Sequence, residues 1–437
     1  MHFRVVIGGV IVLFTSLALA QPRYAPLAAE VSAERVGATV HALAGFGTRH
    51  TLSDAASTTR GVGAARGWIK AQLDGMGPNM EVRLEEFEAP KLPRIPDGAT
   101  LVNVIGVVRG TATPEEMVYV LAHYDSICAD VMDAKSDAPG ANDNASGVAA
   151  ALEVARAVAA HPLRSTLVVV LTAGEEQGLV GAKYRADRAV ADREMVRGVL
   201  NNDIIGDPTG PRGGSTRHLI RVLSEGLPRS VSAERLAAIR LVSGESDGGS
   251  RQLARFIGYV AREEGTSVQP LLVFRPDRFL RGGDHQAFLD SGFAAVRFAE
   301  VDEDYSRQHA NVSERDGKAY GDVPEFVDFE YVADVARLNL VTAAWLADAP
   351  RVPTNARVVT AKLTVDTTIR WEKVAGAKGY EVVWRETTAP DWEESEDAGD
   401  ATEITLAMNK DNFFFGVRAY GEDGLRSPVA FCGAAKE

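Results

Sequence analysis

Four apolar runs in this chain end at, or a few residues before, side chains that can hold a metal ion. Residues 117–122 run into His123, residues 166–171 into the adjacent carboxylates Glu175 and Glu176, and residues 196–202 into Asp203; residues 294–300 lead towards His309. A further acid, Asp143, stands in GANDNASG (140–147), just ahead of a helical pattern. Each has an ordinary reading when taken alone. A lone strand-end histidine is usually a plain polar residue, and Asp or Asn before a helix is usually an N-cap. Carboxylates gathered at neighbouring strand ends, however, destabilise one another unless a cation lies among them.

Two divalent ions about 3.5–4 Å apart, the spacing of co-catalytic sites, would remove that repulsion. Asp143 would bridge them, with Glu176 and Asp203 terminal and a bridging hydroxide offsetting the remaining positive charge. His123 and His309 complete the shell as neutral imidazoles. Mixed nitrogen and oxygen ligands favour zinc, with manganese and cobalt left open by ligand type. The adjacent glutamates then divide the work: Glu176 is a ligand, and Glu175 stays free to take a proton from the bridging water and pass it to a leaving amine. In HYDS (123–126) alternate strand residues share a face, so Asp125 can approach His123 and fix its tautomer.

The elements that must position these groups follow an α/β pattern. From about residue 28 to 348 strand-like and helix-like stretches alternate, which implies a mostly parallel mixed sheet flanked by helices. Residues 145–160 carry apolar positions near helical spacing and stop at His161-Pro162, so they form a crossover helix returning the next strand parallel to the first. Ligands in such sheets bind beyond the carboxyl ends of the strands. The polar strand ends therefore point to one crevice.

The chain has 437 residues, too many for one ordinary core. Its 46% hydrophobic and 24% charged residues fit a folded soluble protein, and a net charge of −13 argues against general affinity for nucleic acid or anionic lipid. Residues 1–20 read as a secretory signal cut after Ala20: Arg4 precedes a short apolar stretch that ends Ala18-Leu19-Ala20. A periplasmic or secreted protein without stable membrane insertion is expected. The larger α/β unit spans 21–349, residues 350–354 form a proline-bearing linker, and 355–437 give short alternating runs that predict a small all-β sandwich. Cys128 and Cys432 are the two cysteines, so no disulfide framework supports the fold.

Taken in order, HYDS, GANDNASG, LTAGEEQG, NNDIIG, RGGDHQAF and the late RQH resemble the zinc exopeptidases of peptidase family M28, leucyl aminopeptidases among them, over residues 30–348. The resemblance implies that His123, Asp143 and Asp203 hold one zinc ion and Asp143, Glu176 and His309 the other. Glu175 is then the general base and Asp125 orients His123. Asp284-His285 matches a family motif with a lining or supporting role. The sequence departs from the family near His309, where Gln308 replaces a tyrosine that polarises the scissile carbonyl; Tyr305 is the nearest candidate for that support. In the C-terminal part Trp371, Tyr380, Trp384 and the 414–428 segment resemble a fibronectin type III module, with no partner implied.

The function expected is an exported dizinc aminopeptidase acting on the N-termini of peptides. A glutaminyl cyclase shares the fold by resemblance but uses a single zinc. A carboxypeptidase would need arginines for a substrate carboxylate, for which Arg275, Arg278 and Arg281 are candidates. A non-catalytic secreted binding protein is disfavoured by the retained ligands and base.

Overall fold

The computed structural model describes residues 22–361 and 363–435; the expected signal segment lies outside them. Eight strands form one sheet: β1 (Met80–Ala89), β2 (Ala99–Val108), β3 (Thr113–His123), β4 (Ser165–Thr172), β5 (Met195–Asn202), β6 (Leu219–Leu223), β7 (Gln269–Val273) and β8 (Ala295–Ala299). Their spatial order is β1-β2-β4-β3-β5-β8-β6-β7. The four central strands β4, β3, β5 and β8 are parallel, as the crossover argument requires. The sheet as a whole is mixed, not mostly parallel, because β1 with β2, β2 with β4, and β8 with β6 pair antiparallel. A strand buried on both faces reads as a continuous apolar run in either direction, and most of β2 is buried.

Strand alternation sorts the core. Val118, Val120 and Ala122 of β3 face one side with Leu167, Val169 and Leu171 of β4, under the helices Ala33–Gly45, Gly147–Ala160 and Phe329–Asp348. Tyr119, Leu121, Val168 and Val170 face the other, against Ala182 and Ala186 of helix Val180–Ala191 and Phe288 of helix His285–Asp290. Because the central strands all point the same way, their carboxyl ends form one edge. Gly147 is required where the crossover helix starts there: a Cβ would come within 2.4 Å of both Asn144 Oδ1 and the Asn202 carbonyl.

Residues 357–435 form two four-stranded sheets. Strands Arg357–Val359, Thr367–Arg370, Glu403–Leu406 and Gly433–Ala435 make one, and Gly379–Glu386, Glu394–Gly399, Phe413–Tyr420 and Ala430–Phe431 the other. Trp371 packs in their shared core, its ring 5.5 Å from that of Tyr380. Cys128 and Cys432 are both buried and unpaired with each other.

A buried charge cluster ties these sheets to the larger unit. Asp247 accepts from Arg255 Nη1 at 2.5 Å and from Arg385 Nη2 at 2.9 Å, Arg385 lying in strand Gly379–Glu386. Trp392 Nε1 donates to Gln252 Oε1 at 3.1 Å across the same junction. Removing one member of such a cluster strands buried charge. Asp247→Ala is therefore expected to lower stability by about 3–5 kcal/mol in urea denaturation while zinc content stays the same; an unshifted midpoint would contradict a firm junction.

Candidate metal centre and active site

The parallel strand ends carry the candidate ligands to one place. β3 terminates in His123, the turn after β4 carries Glu175 and Glu176, and Asp203 follows β5 directly. Asp143 lies in the kinked segment Ala141–Ser146 before the crossover helix. His309 follows β8 in an irregular loop with φ of 47°, a left-handed conformation that is uncommon for non-glycine residues.

Asp143 is the centre of the cluster. Its Oδ1 is 3.1 Å from His123 Nε2 and its Oδ2 is 2.9 Å from His309 Nε2, so one carboxylate oxygen faces each imidazole. His309 Nε2 also lies 3.0 Å from Glu176 Oε1, and His123 Nε2 lies 3.8 Å from Asp203 Oδ1. Donor atoms of His123, Asp143 and Glu176 fall within 4.8 Å of one another, and so do those of His123, Glu175 and Asp203. Glu175 thus stands on the Asp203 side of the site, and no hydrogen bond to its carboxylate occurs among the described residues.

These residues fit zinc. Glu176 Oε1 and His309 Nε2 are buried and face each other without a hydrogen-bond partner, which is costly for polar atoms unless a cation lies between them. Nitrogen and oxygen donors in this mixture suit zinc.

The charges are held in a tense balance. Burial pushes the Glu175 carboxyl well up, reinforced by Glu176 and Asp203 and opposed by His123. Burial likewise raises Glu176, against the pull of His309. Burial also works to raise Asp143, but the His123 and His309 imidazoles beside it win and hold it well below the usual carboxylate range. His309 is pushed up to about 11 by Glu176 and Asp143 although burial opposes this.

Asp125 stands beside His123 as expected and has a second task. Its carboxylate Oδ1 is 3.6 Å from His123 Nδ1, whereas its own backbone carbonyl is nearer, at 3.2 Å. The carboxylate also accepts from the backbone N–H of Glu175 at 3.2 Å, of Glu176 at 3.1 Å, and from Thr51 Oγ1 at 3.2 Å. It fixes the turn that aims both glutamates. Outer partners of this kind typically matter 10–100-fold, so Asp125→Ala is expected to lower kcat/KM by about that factor, with part of the loss recovered in excess zinc; an unchanged kcat/KM would contradict this role.

Tyr305 is not brought to the site. It is 62% exposed and absent from the cavity wall, with the Arg281 guanidinium 5.8 Å from its ring. Asp284 is buried behind the site and accepts from Thr172 Oγ1, while His285 Nε2 meets the Pro276 carbonyl at 2.7 Å. Arg275 stacks on Phe279, 3.6 Å from the ring centroid, and does not line the cavity.

Two residues with clear roles escaped the sequence reading. Arg297 is fully buried and its Nη2 lies 2.7 Å from Asp203 Oδ1, which orients that carboxylate. An arginine interrupting the apolar run AAVRFAE was the available signal. Asp322 accepts from the backbone N–H of Asn142 and of Asp143, both at 2.7 Å, and thereby sets the Asp143 segment; nothing local marks it.

The cavity in front of these groups has a volume of about 450 Å³ and is lined by Asp143, Glu175, Glu176, Asp203 and His309 together with four arginines. A space of this size suits a small ligand or a peptide end.

Comparison with known proteins agrees with this geometry. The family model "Peptidase family M28" matches residues 103–323. A probable zinc metalloprotease of Leptosphaeria maculans is 43% identical over 410 residues, covering 92% of this chain and 95% of that protein. Another from Pyricularia oryzae is 44% identical over 412 residues, covering 92% and 82%. Among solved structures, the LapA aminopeptidase of Legionella pneumophila superposes with a TM-score of 0.51 at 16% identity, covering 74% of each chain. An aminopeptidase from Aneurinibacillus sp. strain AM-1 does so at 0.50 and 15%, covering 74% of this chain and 95% of that one. At such identities the structures speak to the fold, which is that of the zinc exopeptidases. The family match and the relatives similar over nearly the whole chain make this protein a member of peptidase family M28, a hydrolase of the zinc metalloprotease kind.

Proposed function

We propose that the protein is an exported dizinc aminopeptidase that removes the N-terminal residue of peptides. The observation that carries this reading is the convergence of four donor side chains and the free carboxylate of Glu175 on a single cavity, with the fifth donor, His123, buried against Asp143. His123, Asp143 and Asp203 would hold one ion, and Asp143, Glu176 and His309 the other. Zinc, when bound, supplies Lewis acidity: it acidifies a water and polarises the scissile carbonyl.

The chain's own groups do the rest. Glu175 takes the proton from the attacking water and returns it to the leaving amine nitrogen. Asp125 holds the backbone of Glu175 and Glu176, and Arg297 holds Asp203 in line. The 355–437 sheets are a fibronectin type III-like module docked on the peptidase unit of residues 21–349, and removal of residues 1–20 delivers the enzyme to the periplasm or beyond.

Aminoacyl anilides and their N-acetylated counterparts separate this reading from other exopeptidase activities. Cleavage of the free-amine substrates with loss on acetylation is expected; equal cleavage of both would rule out an aminopeptidase.

A further inference from the structure

The cavity wall contains four acids and four arginines, and their pairing is uneven. The acids are Asp143, Glu175, Glu176 and Asp203; the arginines are Arg94, Arg278, Arg281 and Arg297. Arg278 pairs with Glu303, and Arg297 is held by Asp203 and Asp277. Arg94 and Arg281 have no acidic partner among the described residues. Arg94 Nη1 donates to the Glu176 backbone carbonyl at 2.6 Å, which places the guanidinium beside the ligand turn and leaves its other N–H groups unused. Arg281 Nη1 meets His309 Nδ1 at 2.9 Å.

That last contact must open when His309 ligates a metal ion. An imidazole that presents Nε2 to a metal carries its remaining proton on Nδ1, and Nδ1 then has no lone pair for Arg281. With Asp143, Glu176, Asp203 and a bridging hydroxide matching two divalent ions, Glu175 alone stands against these two guanidiniums, so the cavity keeps an excess of positive charge. No wall carboxylate remains outside the metal and proton-transfer set to balance them.

We propose that Arg94 and Arg281 bind a carboxylate of the substrate, so that the preferred substrates are short peptides bearing a carboxylate next to the scissile bond. This rests on the metallopeptidase reading and narrows it. The carboxylate is either the free C-terminus of a dipeptide or an acidic side chain. Both offer the planar pair of oxygens that a guanidinium fork receives in two parallel hydrogen bonds.

Calorimetric binding to full-length, zinc-loaded Glu175→Gln protein tests this without turnover. Three probes are compared: leucylglycine, leucylglycinamide, and leucyl-aspartic acid α-amide, whose side chain carries the lone carboxylate. At least one carboxylate-bearing probe is expected to bind about 10- to 100-fold tighter than leucylglycinamide, and which one identifies the source. Adding Arg94→Gln or Arg281→Gln should collapse that ratio towards one, while Arg275→Gln, outside the cavity, should leave it. Equal binding of all three probes, or a ratio that survives both cavity substitutions, overturns the proposal. Wild-type turnover of the same probes separates the two readings. Hydrolysis with no carboxylate preference in binding keeps the peptidase and removes the arginine role; carboxylate-selective binding without hydrolysis of any probe does the reverse.

Discussion

Glu175→Gln is expected to lower kcat by about 10²- to 10⁴-fold, the usual worth of a positioned general base, with zinc content unchanged. The substitution keeps the size of the side chain and removes its ability to hold a proton. Glu175 is near the donor atoms of His123 and Asp203, yet it is the one cavity acid with neither a hydrogen bond nor a paired imidazole of its own. Removing its charge also relieves repulsion with Glu176 and Asp203, both of which push its carboxyl up. The variant should therefore unfold no earlier than the wild type. Full activity with zinc retained would show that another group moves the proton.

Replacing Asp143 is expected to do more damage by a different route. Its two oxygens face two different imidazoles, at 3.1 and 2.9 Å, so Asp143→Ala removes a donor from both ion positions at once. Zinc should fall to at most one ion per chain and hydrolysis to background. The backbone of this segment should survive, because Asp322 holds its N–H groups and not the Asp143 side chain. The lost stability is that of the ions: a ligand at 1,000 times its Kd contributes about 4 kcal/mol to the folded state. Thermal melts with and without added zinc measure this, and a wild-type-like response of the variant to zinc would contradict the bridging position.

The strand-end candidate ligands were legible in the sequence because parallel strands deliver consecutive C-terminal residues to one edge. An apolar run followed at once by His123, Glu175-Glu176 or Asp203 carries both the element and its cargo. His309 was harder, since it sits in a loop where position follows from the closed fold and not from local pattern. The same limit explains Tyr305: four residues from His309 in sequence, it leaves the cavity and lies largely exposed. Strand direction was also beyond reach, since β2 buries both faces and reads the same either way. The holding role of Asp322 is created by contacts with residues 180 and 179 positions away, and no spacing rule encodes it.

Asp125 shows how one neighbour can have two tasks. The H-x-D pairing placed it beside His123, where its carboxylate lies 3.6 Å from Nδ1. The same carboxylate holds the turn after β4, coupling the geometry of β3 to that of the glutamate pair, which no local pattern announces.

The proposed function requires that one chain hold two zinc ions through His123, Asp143, Glu176, Asp203 and His309. Plasma mass spectrometry of dialysed, zinc-saturated wild-type protein, normalised to chain concentration, measures it directly. Two ions per chain are expected; a reproducible count of one would contradict the two-ion site and the bridging role of Asp143.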